Sequence, residues 1–106
     1  MKIYIAGKIT GLPKQQYTTK FRAAEIELTA AGHHSVNPCR LGIPDDYTSE
    51  QAVLICLTHL RHCDAIYLLP CWQQSPGAIT ERQYAIDNGI EVFYAEQETA
   101  LIHQIA

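Results

Sequence analysis

The stretch of residues 63–89 constrains the fold of this chain more than any other part. It contains five consecutive apolar residues, 65–69, directly after Asp64. Such a run, with no polar alternation, is typical of a strand buried on both faces in a parallel sheet. After a polar turn, Ser75 and Pro76 predict an N-cap and a first helical residue, and Gly89 predicts the end of that helix. The stretch therefore predicts a buried strand followed by a capped helix.

Glu81 occupies an unusual position in this predicted helix. It follows Ala78 by three residues and precedes Ala85 by four, so a helix places it on the same face as two small apolar residues. On that face a carboxylate points toward the crevice at the carboxyl ends of the strands, where open α/β sheets bind ligands. The alternative is a solvated flank position that the helix dipole favours.

Composition and charge limit the class of protein. With 106 residues, of which 47% are apolar and 18% charged, the chain is expected to form one globular domain over residues 1–106. A net charge of −3 without a Lys/Arg cluster argues against a nucleic-acid polymer as partner. The apolar stretches are too short to predict a signal peptide or a membrane span. Four cysteines without CxxC spacing indicate reduced thiols and a cytoplasmic location.

The remaining elements are predicted from apolar periodicity and from capping residues. Thr48 and Gln51 have the spacing of a capping box. The further strands are predicted at 3–6, 33–36 and 90–94, and the further helices at 18–31, 48–62 and 96–106. This alternation predicts a Rossmann-like or flavodoxin-like α/β domain, a three-layer sandwich with a short parallel sheet of about four strands.

Two loops have features of a binding site. Residues 7–14 contain two glycines and two lysines directly after the first strand, where backbone N–H groups often receive an anion. No dinucleotide-binding or Walker motif is present, so an ordinary turn remains the alternative. Residues 39–47 form a connection of a length that is more typical of a binding loop than of a plain linker.

Other reactive residue types give weaker signals. His59, His62 and Cys63 are close in sequence, but no second cluster completes a tetrahedral site, and we expect neither a metal nor a cofactor. Cys71 has no histidine–acid pattern around it and is interpreted as a turn residue. Trp72 follows the buried strand, where it either stacks on a planar ligand or packs over the loop.

Three segments together carry a family resemblance. They are IYIAG at residues 3–7, Asn37-Pro38, and the run from Cys63 to Glu81. The chain resembles a small phage and bacterial domain family grouped with the nucleoside 2-deoxyribosyltransferases and the 2′-deoxynucleoside 5′-phosphate N-hydrolases. The resemblance covers nearly the whole chain. It implies cleavage or transfer at the N-glycosidic bond of a 2′-deoxynucleoside, with the 5′-monophosphate favoured, through a covalent glycosyl–enzyme intermediate on Glu81.

The resemblance also implies roles for other residues. Tyr4 matches a first-strand tyrosine near the nucleophile, and Ser75 matches a serine that binds the 5′-phosphate in the monophosphate hydrolases. Lys8 and Thr10 occupy first-loop positions that touch phosphate there, where the relatives have a serine and an arginine. The other predicted substrate-binding residues are Gly7, Trp72 and Gly77.

One departure from the family pattern concerns the second helix. The relatives have an aspartate where this chain has Cys56, and a thiol is a poor substitute as a proton donor. His59, Asp45 or Asp46 are possible substitutes. The alternative function is therefore a non-catalytic nucleotide-binding or regulatory module, and a third is an assembly role with a vestigial site. Because sites in these relatives are commonly completed by a neighbouring subunit, we expect a homo-oligomer that binds a small nucleoside or nucleotide.

Overall fold

The computed structural model describes residues 1–96, and in these residues strands and helices alternate. The elements are β1 (Lys2–Ala6), α1 (Lys14–Ala30), β2 (His34–Val36), α2 (Ser49–Leu60), β3 (Ala65–Leu68), α3 (Pro76–Asp87) and β4 (Glu91–Tyr94). Short 3-10 turns lie at Pro38–Arg40 and Trp72–Gln74. Residues 97–106, which hold nearly all of the predicted closing helix, lie outside the described residues. Among the helices described here, none is long and apolar enough to cross a membrane.

The four strands form one parallel sheet in the order β2-β1-β3-β4. Flavodoxin-like sheets begin with this order. In them β2 is added on one side of β1, and the strands from β3 onward are added on the other side. The two central strands pair from Ile3 opposite Ala65 to Ala6 opposite Leu68. The fold class predicted from sequence is confirmed, and a crevice is expected at the carboxyl ends of β1 and β3.

Alternation along β1 assigns the two faces of the sheet to different helices. Ile3 and Ile5 pack with Phe21 of α1 in one apolar cluster. Tyr4 points to the opposite face, where residues of α2 and α3 form the second cluster. All four residues of β3 are buried, as expected for a strand covered on both sides. The chain thus has the three layers that the sequence predicts.

The observed helix boundaries differ from the predicted ones by a few residues. α1 begins at Lys14, four residues before the predicted start at 18, because Pro13 precedes it as the N-cap residue and the apolar face begins only later. α2 ends at Leu60, two residues before the predicted end. The capping box is confirmed: the Gln51 N–H donates to Thr48 Oγ1 at 3.1 Å, and the Thr48 N–H donates to Gln51 Oε1 at 2.8 Å.

Candidate active site

A cavity of about 580 Å³ lies at the carboxyl edge of the sheet. Its walls come from the loops that follow β1 and β2, from the N-terminal turns of α1, α2 and α3, and from the Tyr4 side chain. Cavities of this size hold small molecules such as nucleotides. The predicted crevice therefore exists, and it is large enough for a nucleoside monophosphate.

Glu81 lies in the wall of this cavity and is only 6% exposed. The Tyr4 hydroxyl donates a hydrogen bond of 2.5 Å to Glu81 Oε2. α3 begins as predicted, with Ser75 Oγ accepting a hydrogen bond from the Ala78 N–H at 3.2 Å. This start places Glu81 on the same buried face as Ala78 and Ala85. The alternative position on a solvated flank is therefore wrong.

Burial changes the acid strength of both partners in this pair. Desolvation raises the pKa of Glu81 to about 7, although hydrogen bonds from Tyr4 and Cys56 lower it in part. Desolvation, followed by the neighbouring Glu81 charge, raises the pKa of Tyr4 well above its ordinary value. Tyr4 consequently stays a protonated donor, whereas Glu81 changes charge near neutral pH.

Cys56 on α2 packs beside Tyr4 on the same face of the sheet and also lines the cavity. Desolvation raises the pKa of its thiol to about 11, so Cys56 remains neutral at neutral pH. The three substitutes suggested by the sequence, His59, Asp45 and Asp46, are all exposed, and of these only Asp45 lines the cavity. Asp45 and Glu81 are the two carboxyl groups among the described cavity residues.

Four of the predicted binding residues also line the cavity, namely Gly7, Thr10, Ser75 and Gly77. At Gly7 a Cβ atom would lie 3.1 Å from Leu69 Cβ, so a glycine allows the first loop to pass close to the end of β3. At Gly77 a Cβ atom would lie 3.2 Å from Val53 Cγ2. The small residues at these positions thus let the cavity walls approach each other closely.

Two predicted binding residues, Lys8 and Trp72, are not part of the cavity lining. The Lys8 Nζ donates to Gln74 Oε1 at 3.4 Å. The Trp72 ring lies 5.8 Å from the Tyr94 ring and 5.0 Å from the Arg82 guanidinium, and Arg82 Nε donates to the Tyr94 hydroxyl at 2.8 Å. In this structure Trp72 thus contacts residues of α3 and β4, and its stacking on a planar ligand stays a prediction.

The structure adds cavity residues that the sequence did not single out as site residues. They are, among others, Lys14, Tyr17, Cys39 and Tyr47. Lys14, Cys39 and Tyr47 belong to the two loops that were predicted to have binding-site features, whereas Tyr17 lies outside both. The predicted start of α1 lay after Lys14. The signal that could have found it is Pro13, because proline is frequent at the beginning of helices and the next residue then lies in the first turn.

The weaker sequence signals lie away from the cavity. Within residues 1–96 no group of three or more His, Cys, Asp or Glu side chains is arranged to hold a metal ion. His59 and His62 are exposed on or just after α2, and the buried Cys63 thiol donates to the His59 carbonyl at 3.5 Å. Cys71 is exposed and has a left-handed backbone with φ +70°.

The fold and the crevice together define the class of protein. The chain is a flavodoxin-like α/β domain that shares its fold with two solved structures. It superposes on a 2-deoxyribosyltransferase of Bacillus psychrosaccharolyticus with a TM-score of 0.67 and 20% identity, over 89% of this chain and 71% of that one. It superposes on the CMP N-glycosidase BcmB of Clostridium botulinum with a TM-score of 0.60 and 16% identity, over 99% and 80%. The predicted resemblance is confirmed at the level of the fold.

The chain belongs to the family described as a domain of unknown function, DUF4406, whose model matches residues 1–94. The match spans all four strands and the three helices, and it includes both Tyr4 and Glu81. No curated protein has a sequence that matches the chain.

Proposed function

We propose that this protein cleaves or transfers at the N-glycosidic bond of a 2′-deoxynucleoside, favouring the 5′-monophosphate, through a covalent intermediate on Glu81. The observation that carries the proposal is a carboxylate, 6% exposed, in the wall of a nucleotide-sized cavity. The names of the two similar structures support the reaction class, since one is a 2-deoxyribosyltransferase and the other a CMP N-glycosidase.

The proposed reaction proceeds by two displacements at C1′. The Glu81 carboxylate attacks C1′, the C1′–N bond breaks, and its electron pair leaves with the base, which takes up a proton. The resulting ester is then attacked at C1′ by water or by a second base, and the carboxylate is released. The Tyr4 bond to Oε2 holds the carboxylate in one orientation for the attack. Two displacements retain the configuration at C1′.

The other cavity residues are proposed to bind the substrate. Ser75 Oγ accepts from the Ala78 N–H, so its own hydroxyl hydrogen is available to a phosphate oxygen at the helix N-terminus. Gly7, Thr10 and Gly77 line the same cavity, where backbone and hydroxyl donors suit an anion. The predicted roles of Lys8 and Trp72 remain predictions, and variants of both are described below.

The test uses the four common deoxynucleosides and their 5′-monophosphates as substrates, with chromatographic detection of the free base. We expect Glu81→Ala and Glu81→Gln to lower base release by about a thousandfold or more, because the nucleophile is lost. Asp87→Asn is a matched control, since Asp87 is an exposed carboxylate at the end of the same helix. Base release at the wild-type rate from Glu81→Ala would remove the nucleophile assignment.

The second candidate function is a nucleotide-binding module without turnover. Two observations favour it: a neutral Cys56 stands beside the carboxylate, and the pKa of Glu81 is about 7, so part of the population is protonated at neutral pH. A thermal-shift measurement separates the candidates, because a bound ligand raises the melting temperature by mass action. Stabilisation by a nucleotide without any base release supports the module.

We also propose a homo-oligomer in the cytoplasm. Residues 44–50, which contribute to one wall of the cavity, are exposed throughout, and a neighbouring subunit would cover such a wall. The four cysteines are free thiols, as expected in a reducing compartment. Sedimentation at micromolar concentration tests the assembly, and a monomer with full base-releasing activity would contradict it.

A further inference from the structure

The cavity lining has more acidic than basic side chains, which is unfavourable for an anionic substrate. Asp45 and Glu81 supply its carboxyl groups, and Lys14 is the one Lys, Arg or His side chain among the described lining residues. A phosphate monoester carries about −1.5 to −2 charges at neutral pH. Beside two carboxyl groups in a partly desolvated cavity, such a ligand requires a nearby cation.

Lys14 is the first residue of α1, and a positive charge at this position does not stabilise the helix. A positive charge at a helix N-terminus opposes the helix dipole. Pro13, the N-cap residue, supplies no side-chain hydrogen bond, and the first turn holds no acidic residue that would offset the charge. No hydrogen bond or ion pair of Lys14 Nζ occurs among the described residues. Helix stability therefore gives no reason for a lysine here, whereas a ligand in the cavity does.

Lys8, the lysine that the sequence favoured, lies differently. Its Nζ donates to Gln74 Oε1 at 3.4 Å, which links the first loop to the turn after β3, and Lys8 does not line the cavity. Thr10 and Ser75, by contrast, line the same cavity as Lys14. A cation and two hydroxyl donors from separate segments thus surround one space.

We infer that Lys14 is the cation that receives the substrate's 5′-phosphate and that it makes the site prefer the deoxynucleoside monophosphate over the deoxynucleoside. The inference rests on the proposed function for its substrate class. It transfers to Lys14 the role that the family resemblance suggested for Lys8. The preference arises from the ammonium charge, so it weakens as salt concentration rises.

The experiment compares binding of each deoxynucleoside with binding of its 5′-monophosphate by calorimetry. The background is Glu81→Gln, which stops turnover, and the tested variants are Lys14→Met, Lys8→Met and Lys20→Met. We expect Lys14→Met to weaken monophosphate binding by about tenfold or more, because a charge-assisted hydrogen bond is lost, and to change nucleoside binding by less than about twofold. Lys20 lies exposed on α1 outside the cavity lining, so Lys20→Met is the matched control. In the active protein, Lys14→Met should raise KM for the monophosphate and leave kcat nearly unchanged.

The outcomes separate this inference from the proposed function. If Lys14→Met keeps the full preference for the monophosphate, or if Lys8→Met abolishes it, the assignment to Lys14 is overturned, whether or not base is released. If monophosphates bind in a Lys14-dependent manner but the wild type releases no base, the inference stands and the proposed catalysis fails. Because Lys14 is exposed, circular dichroism should show that its variant folds normally.

Discussion

The Tyr4 hydroxyl lies 2.5 Å from Glu81 Oε2, although the two residues are 77 positions apart in the chain. Tyr4 belongs to the central strand β1, and Glu81 lies on the helix that packs over the same face of the sheet. Both side chains are almost fully buried. The protonation of Glu81 therefore depends on whether the chain is folded. The predictions on stability and on the rate of base release follow from this dependence.

The stability of the fold should depend on pH through Glu81. The folded pKa is about 7, above the ordinary value of 4.5, so the folded state holds the proton more tightly than the unfolded state. The stabilising contribution, about 3 kcal/mol, is complete below about pH 4.5 and is lost as pH rises through about 7. Glu81→Gln removes the ionisable group and should increase the free energy of unfolding by about 3 kcal/mol near pH 8.

Urea denaturation across this pH range measures the effect. The difference between Glu81→Gln and wild type should shrink toward pH 4.5, where both side chains are neutral. Asp87→Asn, at an exposed position, is the control and should show no such trend. A constant difference between Glu81→Gln and wild type at all pH values would contradict a raised pKa.

The rate of base release should also follow the ionisation of Glu81. A nucleophile must be deprotonated, so kcat/KM should rise with pH through about 7 and then level off. Tyr4→Phe removes a hydrogen bond that lowers the pKa of Glu81, so the midpoint should move to higher pH and the rate at neutral pH should fall about tenfold. Tyr84→Phe, on α3 outside the cavity lining, is the control. An unchanged midpoint in Tyr4→Phe would show that the bond does not tune the carboxylate.

Trp72 should contribute to stability more than to substrate binding. Its ring packs against Arg82 and Tyr94 and does not line the cavity. Trp72→Leu should lower the free energy of unfolding by about 1–2 kcal/mol, because the ring contact and the cation–π contact are lost. KM for the preferred nucleotide should change by less than about threefold. A large rise in KM with unchanged stability would instead support stacking of Trp72 on the base.

Cys71 offers a test of backbone strain. It is the one non-glycine residue with positive φ among residues 1–96, at +70°, a region that favours glycine. Cys71→Gly should raise the free energy of unfolding by about 0.5–1 kcal/mol. Cys39→Gly, at another exposed thiol with ordinary φ, should lower it by a similar amount, and equal effects of the two changes would rule out strain at residue 71.

Much of the fold could be predicted from local signals in the sequence. The apolar run at 65–69 predicted a doubly covered strand, and Ser75-Pro76 predicted the start of α3, because each signal depends only on neighbouring residues. The start of α1 was less predictable, since its first turn is polar and has no side-chain cap. Apolar periodicity predicts only those helical turns that bury apolar side chains. It cannot predict a turn made of polar residues.

The sequence by itself determined the order of strands and helices, the N-caps of α2 and α3, and the position of Glu81 on a face with small residues. The tertiary structure decided that this face is buried against Tyr4, that Lys14 lines the cavity whereas Lys8 contacts Gln74, and that Trp72 packs on Arg82. The physical reason is distance along the chain. Helix caps and apolar runs are interactions between near neighbours, whereas the desolvation, pairing and direction of a site residue depend on segments that meet only after the sheet has formed.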